Sequence, residues 1–519
     1  MSREREAWAL GARPLPRGTR FRVFAEARSC RVRLCEADGA VRSERELEAL
    51  GDGFFEATLE EARHGTLYRY VLDGRELPDP YARFLPFGVH GPAMVIEPRH
   101  SWRFEPVSRA LREQVLYELH VGTFTRAGTY AAAAERLPAL AELGITTVEL
   151  LPLAAFPGAR GWGYDGVALY APFAGYGTPD DLRAFVDAAH ALGLGVVLDV
   201  VYNHLGPDGN YLGAYSSRYF TARHRTAWGD APNFEDAPFR SYALDNARYW
   251  LEDFRFDGLR LDATHAIVDE SPCHFLRELA GEVKELTPRR LLFAEDERNA
   301  PELVTDFGLD AVWADDFHHQ VHVTLTGERE GYYAGYAPGA ADLARTLERG
   351  WLYEGQPFPP KNEARGASAA GLSAESLLYA IQNHDQIGNR ARGERLNALV
   401  SLDEYLAASL LFLCLPMTPL LFMGQEWAAS TPFGYFTDHH PELGKLVSAG
   451  RLREFAAFEA FREGDAAKLV LDPQAEETFL ASQLVWEERT QEPHARTLGL
   501  YHALLRLRRC DPVLRHSSR

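Results

Sequence analysis

Each thing this sequence is short of removes a class of protein. Positive charge is scarce: 55 Lys and Arg against 74 Asp and Glu leave a formal net charge of -19. That charge repels phosphate backbones, which argues against a nucleic-acid partner and suits a neutral or cationic ligand. Long apolar runs are missing. No stretch is long enough to span a bilayer, and the opening MSREREAWALGARPLPRG has no apolar signal-peptide core, so the expectation is a cytoplasmic protein with no membrane partner. The five cysteines, Cys30, Cys35, Cys273, Cys414 and Cys510, are odd in number, scattered and outside any metal-ligand spacing. They read as reduced, buried, inert thiols. A glycine-rich phosphate loop after a first strand is also lacking, which argues against an open, doubly wound nucleotide-binding sheet.

What remains is a soluble composition, 46% hydrophobic and 25% charged, on a chain of 519 residues, too long for one ordinary core. The first part alternates like a β-sandwich: RVRLCEADGAVR gives two runs around an Asp-Gly turn, and LYRYVLDGRELPD repeats the pattern. DPYARFLPFGVHGP, residues 79–92, is rich in Pro and Gly and reads as a linker. These features predict an N-terminal sandwich over 1–98 and a larger unit over 99–519.

Past the boundary the period changes. AAAAERLPALAEL stops at Gly144 and runs into ITTVELLPL; TPDDLRAFVDAAHALG, capped by Thr178 with Pro179 at its first position and closed by Gly193, runs into LGVVLDVVYNH. Strand alternating with helix implies a parallel sheet. The strand candidates are VLYELHVGTF, TTVELLPL, GVVLDVVYNH, GLRLDATHA, RLLFAED, DAVWADDF, SLLYAIQNHDQ and PLLFMGQEW. Eight strands over roughly 400 residues predict an α/β fold, a (β/α)8 TIM barrel. The connection over about 205–240, with Gly206, Pro207, Gly209, Trp228, Gly229 and Pro232, is far longer than a barrel loop and reads as a small inserted lid.

GLRLDATHAI, residues 258–267, has strand composition with charges inside it. Arg260 and Asp262 share one face, Leu259, Leu261 and Ala263 the other, and a charge belongs in a core only when it is paired or used. Barrel sites form at the carboxyl ends of the strands. There this sequence places Asp199, Asn203 and His204, then Arg260, Asp262 and His265, then Glu295 and Asp296, then Asp315 to His319, then His384 and Asp385. One such residue is usually a cap, an ion-pair partner or a core histidine; five strand ends converging on one mouth point to chemistry. Three carboxylates without a metal suit glycosidic-bond cleavage, in which one attacks the anomeric carbon and another protonates the leaving oxygen. Arg260 would keep Asp262 ionised and nucleophilic. Glu295, after the apolar RLLFA, is the candidate acid, its pKa raised by a drier site. Trp162, Tyr164, Tyr211 and Trp228 offer flat faces for sugar rings, with ordinary packing as the competing reading. His204, His265, His318 and His384 lack the tight spacing of a zinc site, so neither metal nor cofactor is expected.

DVVYNH, GLRLDATHA, FAED and NHDQ resemble, in order and spacing, the four signature regions of the α-amylase superfamily of glycoside hydrolases. The sandwich ending in DPYAR looks like the N-terminal domain of its glycogen-acting branch, so the resemblance covers nearly the whole chain. It implies a retaining hydrolase with Asp262 as nucleophile, Glu295 as general acid/base and Asp385 as transition-state stabiliser, supported by Asp199, Arg260 and His384. The long loops GNYLGAYSSRYFTARHRTAWGDAPNFEDA, DDFHHQVHVTLTGEREGYY and NHDQIGNRARGERL are most similar to a narrower branch. Its members cleave the α-1,4 bond next to the terminal trehalose of a maltooligosyl trehalose, releasing trehalose and a maltooligosaccharide. This similarity implies substrate contacts at Arg260, Leu261, Ala263, Thr264 and His265, at Asp315, Asp316, Phe317, His318 and His319, and at His384, Gln386, Ile387, Gly388 and Asn389; the strand-end Asp199 and His204 and the aromatic Tyr164 and Trp228 are expected to join them. The segment DDFHH, with the lid residues near Trp228, would read the trehalose end. Family members usually continue into a small β-domain, whereas this chain stops soon after ALLRLRRCDPVL, which reads as a C-terminal domain absent or shortened. A glycogen branching enzyme, which passes the glycosyl group to a sugar hydroxyl, shares the sandwich, barrel and triad, as do other α-1,4-glucan hydrolases. A non-catalytic carbohydrate-binding protein on this fold would have no need to keep Asp262, Glu295 and Asp385 together.

Overall fold

A computed structural model describes residues 9–226, 229–286, 289–455 and 470–516. Among these, eight short parallel strands close into a barrel in chain order: Leu116–Leu119, Thr147–Leu150, Gly195–Val200, Gly258–Leu261, Leu291–Ala294, Ala311–Trp313, Leu377–Tyr379 and Thr418–Phe422, the last pairing back onto the first. Seven fall within the runs expected from sequence, and the eighth begins one residue before its run, at Thr418. Most strand residues are apolar because both faces are covered; Glu118, Glu149, Asp199 and Arg260 are the buried charged exceptions. Leu116, Val197, Phe293, Trp313, Leu378 and Leu420 form a cluster of their own that fills the barrel. Leu119, Leu150, Leu198, Leu259 and Leu261 join the larger core outside it. Helix boundaries follow local chemistry: Pro179–Ala191 opens with Thr178 and Asp181 in a reciprocal capping box and Pro at its first turn.

Residues 11–94 form two antiparallel sheets. One runs in the order Gly11–Leu15, Gly18–Phe24, Phe54–Leu59, Glu48–Gly51; the other is built on Val41–Glu46, Cys30–Cys35, Leu67–Leu72 and Arg75–Leu77, with Ala93–Met94 beside Leu67–Leu72. The stretch 79–92 is not the spacer its Pro and Gly content suggests. Tyr68 Oη donates to the buried Asp79 Oδ2 at 2.6 Å, and Tyr81 packs edge-on against Tyr242 of helix Ala237–Asp253, ring centroids 4.8 Å apart. Pro and Gly set the turns there, while the side chains between them fill the seam between sandwich and barrel.

The insertion over 205–240 departs from a simple lid. Tyr215 Oη donates to the Pro78 carbonyl at 2.8 Å, Ser217 N donates to Glu26 Oε2 at 2.9 Å, and Tyr211 Oη lies 2.8 Å from His90 Nδ1. Its first half is thus bolted to the sandwich, and Tyr211 is a seam residue instead of a sugar platform. Trp228 lies outside the described residues. A second excursion lies between the sixth and seventh strands. It contains helices Asp315–Thr326 and Ala340–Arg349 and the hairpin Gln356–Phe358 with Glu363–Arg365. Val323, Tyr333, Tyr336, Leu352, Tyr353 and Phe358 give it a small core of its own. The five cysteines are unpaired, but Cys273 and Cys510 are exposed, contrary to the buried reading; one lies in a surface turn and the other ends helix His494–Cys510. No described helix is long and apolar enough to cross a membrane.

Candidate active site

Arg260 is the organising side chain. It is 0% exposed, and its register partner on the third strand is Asp199. Its Nη1 donates to Asp199 Oδ1 and Oδ2 at 2.9 and 2.8 Å and to Asp262 Oδ1 at 2.8 Å, while Nη2 lies 3.0 Å from Glu295 Oε2. The guanidinium also sits over the Trp313 ring, 4.5 Å from its centroid, a favourable place for a desolvated cation. One buried charge therefore ties together carboxyls from the ends of three neighbouring strands. The strand itself stops at Leu261: Ala263 turns back with φ 40° and a short helical turn follows over Thr264–Ala266. That turn aims the Ala263 N–H at Glu295 Oε2, 2.7 Å away.

The two carboxyls on Arg260 are pushed in opposite directions. For Asp262, burial alone would raise the pKa, but the charge of Arg260, then His204, then hydrogen bonds from Asn203 and Arg260 outweigh it and hold the group below the ordinary carboxylate range. Asn203 Nδ2 donates to Asp262 Oδ2 at 2.7 Å. For Glu295, burial dominates; Arg260 opposes it, and the charges of Asp262, Asp385 and Asp315 reinforce it, leaving the group well above its ordinary value. Asp199 is pushed up to about 6 by burial, against Arg260. The two carboxyls thus titrate in opposite directions, Asp262 low and Glu295 high, the separation that distinguishes a nucleophile from an acid.

Beside this cluster His384 is clamped at both nitrogens. Nδ1 lies 2.6 Å from Glu118 Oε1 and Nε2 lies 2.8 Å from Tyr164 Oη, whose proton goes to Asp199 Oδ2 at 2.6 Å. With Tyr164 donating to Asp199, both imidazole nitrogens are donors and the ring is a cation. Burial alone would lower its pKa, yet the charges of Glu118 and Asp385 lift it to about 9. The next residue, Asp385, sits in the short helix His384–Gly388, whose cap Asn383 Oδ1 accepts from the Asp385 N–H at 2.9 Å. Its side chain is 39% exposed and opens into the mouth.

That mouth is a cleft of about 770 Å³, lined among others by His265, Glu295, Asp315, His319, Tyr332, Arg365, Asp385, Gln386 and Asn389. Of the residues expected to touch substrate, the structure brings His265, Asp315, His319, Gln386 and Asn389 to the cleft. Tyr164, Asp199, Arg260 and His384 lie in the polar cluster beside it. His204 Nε2 is 3.0 Å from the Tyr164 carbonyl, holding the floor. Others are corrected. Leu261 and Ile387 belong to the apolar core: alternation along its strand turns Leu261 away from the mouth, and Ile387 is on the buried side of the helix His384–Gly388. Phe317 stacks on Tyr379 at 4.2 Å. Thr264 is buried and donates to Asp296 Oδ2 at 2.8 Å, and Ala263 offers only its backbone N–H. Gly388 is packed against Trp162, where an added Cβ would come within 2.0 Å of the ring. His318 is 2% exposed behind Asp315. Asp316 is 0% exposed and accepts from Tyr336 Oη at 2.5 Å, from Asn299 Nδ2 at 2.8 Å and from the Leu352 N–H at 2.7 Å, with Arg365 Nη2 at 3.1 Å. It fastens the second insertion and does not face a ligand. Trp162 is likewise packing: it stacks on Phe433 at 5.3 Å.

Sequence reasoning missed Glu118, Tyr332 and Arg365. Glu118 carried the same signal as Arg260, a charge inside an apolar strand (VLYELH); Tyr332 and Arg365 lie on the unrecognised insertion, whose signal was the length between DAVWADDF and SLLYAIQNHDQ. No group of His, Cys, Asp and Glu among the described residues could hold a metal ion.

The family model for the alpha amylase catalytic domain matches residues 114–234. The chain is 55% identical to the malto-oligosyltrehalose trehalohydrolase of Deinococcus radiodurans over 98% of its own length and 84% of that relative's. It is 34% identical to the 1,4-alpha-glucan branching enzyme GlgB of Bacillus caldolyticus, over 55% of its own length and 48% of that protein's. A crystal structure of a Salmonella typhimurium protein of the alpha amylase type superposes with a TM-score of 0.92 at 40% identity, covering 98% of this chain and 88% of that one.

Proposed function

The chain belongs to the malto-oligosyltrehalose trehalohydrolases of the α-amylase family, and from that premise we propose how its own residues carry out the reaction. The enzyme hydrolyses the α-1,4 bond next to the terminal trehalose of a maltooligosyl trehalose, releasing trehalose and a maltooligosaccharide. The carrying observation is the opposite titration of Asp262 and Glu295 on one buried Arg260. Glu295 gives its proton to the glycosidic oxygen as the bond to the anomeric carbon breaks. Asp262 bonds to that carbon, and the positive charge that develops between the two events lies near the carboxylates of Asp262 and Asp385. Glu295, now ionised, takes a proton from water; the water oxygen displaces Asp262 and restores both groups with retained configuration. Asp199 and the His384 cation hold Arg260 and Asp385 in place. Asp315, His319, Gln386 and Asn389, with Tyr332 and Arg365, are the groups assigned to the trehalose end. A cytoplasmic location belongs to the same reading, supported by five unpaired thiols.

Product analysis tests this. Incubation with a maltooligosyl trehalose is expected to release free trehalose, with much slower cleavage of amylose. New α-1,6 linkages formed from amylose would turn the reading to a branching enzyme.

A further inference from the structure

Most of the helix Pro441–Phe455, which follows the eighth strand, faces outward; Gly444, Arg451 and Phe455 are its buried residues. Arg451 turns inward to the end of the helix that carries Asp385. Its Nη2 donates to the Gly388 carbonyl and its Nη1 to Asn389 Oδ1 at 3.1 Å. Glu454 Oε2 lies 3.1 Å from the same Nη1 and balances the charge, and the guanidinium sits over the Phe455 ring, 4.6 Å from its centroid. Asn389 lines the cleft, whereas Arg451 stands behind it.

A guanidinium donates and never accepts, so the Asn389 atom that faces it is the amide oxygen. The amide nitrogen is thereby turned to Asp385, with Nδ2 3.4 Å from Oδ1. That Oδ1 also lies 3.5 Å from His384 Nε2. Both separations are long, as catalytic hydrogen bonds often are before substrate closes a site. Of the two donors that bracket Asp385, His384 is locked by Glu118 and Tyr164, and Asn389 is locked by Arg451. A reversed Asn389 amide would set donor against donor at Arg451 and acceptor against acceptor at Asp385.

We infer that Arg451 is a positioning residue for the reaction: it fixes the Asn389 amide and the end of the helix His384–Gly388, and through them the aim of the Asp385 carboxylate. The inference rests on the role of Asp385 as transition-state stabiliser. A group misplaced by about 1 Å costs on the order of 10²-fold in rate. Because the charge that Asp385 meets develops only in the transition state, the loss falls on kcat and spares KM.

Kinetics of the folded variants, with Tm measured beside them, test this. Arg451→Met keeps the stem and its packing while removing every donor. Its kcat on a maltooligosyl trehalose is expected to fall about 10- to 100-fold, with KM changed by less than about twofold. Glu295 gives a second readout. Burial raises its pKa, Arg260 opposes, and the charges of Asp262, Asp385 and Asp315 add to the rise. An Asp385 carboxylate that swings away raises Glu295 less, so the alkaline limb of kcat/KM should move to lower pH. A residue that merely pinned its own helix would lower Tm and leave kcat and that limb unmoved. Arg451→Lys, the variant to use should Arg451→Met fail to fold, has one ammonium for two acceptors and should show part of both changes. In an Asn389→Ala background Arg451→Met should cost less in kcat than it does alone. Wild-type kcat and limb in either folded Arg451 variant, a loss confined to KM, or strict additivity with Asn389→Ala would overturn the inference. The same ratios can be read on any α-1,4-glucan that is cleaved, so a wild type that released no trehalose would count against the proposed function and not against Arg451.

Discussion

Single side chains decide the chemistry, and three can be tested by themselves. Glu295→Gln keeps shape and hydrogen bonding while removing the transferable proton. Its kcat should fall about 10²–10⁴-fold or more with binding largely kept, and near-normal turnover would require another acid. The pH profile follows from the causes of the shift on Glu295. An acid must be protonated, so activity is lost as pH rises through its raised pKa, and the charge of Asp315 helps to raise it. Asp315→Asn should therefore move the alkaline limb of kcat/KM to lower pH; an unmoved limb would remove Glu295 as its source. His384 carries a stability signature of the opposite chemical type. Its pKa in the fold is about 9 against an ordinary 6.5, so its contribution is complete below about pH 6.5 and fades as pH rises through 9. Denaturant midpoints measured across that window should decline in the wild type and lose that slope in Glu118→Gln. The sequence exposed Arg260 and Asp262 because strand alternation makes a misplaced charge visible. Asp316 misled for the converse reason: five polar partners far apart in sequence absorb it, and no local pattern announces them.

Elements decide how closely those side chains are held. The helix His384–Gly388 carries Asp385 and packs Gly388 onto Trp162 so tightly that a Cβ would fall 2.0 Å from the ring. Gly388→Ala should cost about 1–3 kcal/mol through overpacking and lower kcat by displacing Asp385. Trp162→Phe in the same chain should recover part of the loss, which a double-mutant cycle would read as coupling; strict additivity would sever the link. The insertion between the sixth and seventh strands depends on Asp316, buried against Arg365. Asp316→Ala leaves that cation without its carboxylate, a loss of about 3–5 kcal/mol when a buried pair is broken. Activity on maltooligosyl trehalose and on plain maltooligosaccharides should then fall together. A selective loss on the first would return Asp316 to substrate recognition.

At the scale of the molecule, sandwich and barrel share one apolar cluster running from Leu10 to Leu505, with Tyr81, Tyr215 and Tyr242 at the seam. Calorimetry should accordingly show a single unfolding transition; two well-separated transitions would mean that the seam carries little energy.

The sequence by itself determined the barrel, because eight apolar strands alternating with capped helices have few other ways to bury both faces. It also determined the convergence of Asp262, Glu295 and Asp385, because strand ends of a parallel barrel share one rim. Only the tertiary structure decided which polar residues at that rim face a ligand and which hold the rim together. It decided as well that residues 79–92 are core and that Tyr211 serves the seam. Those outcomes depend on partners brought from distant parts of the chain, whose burial and hydrogen bonds no local period encodes.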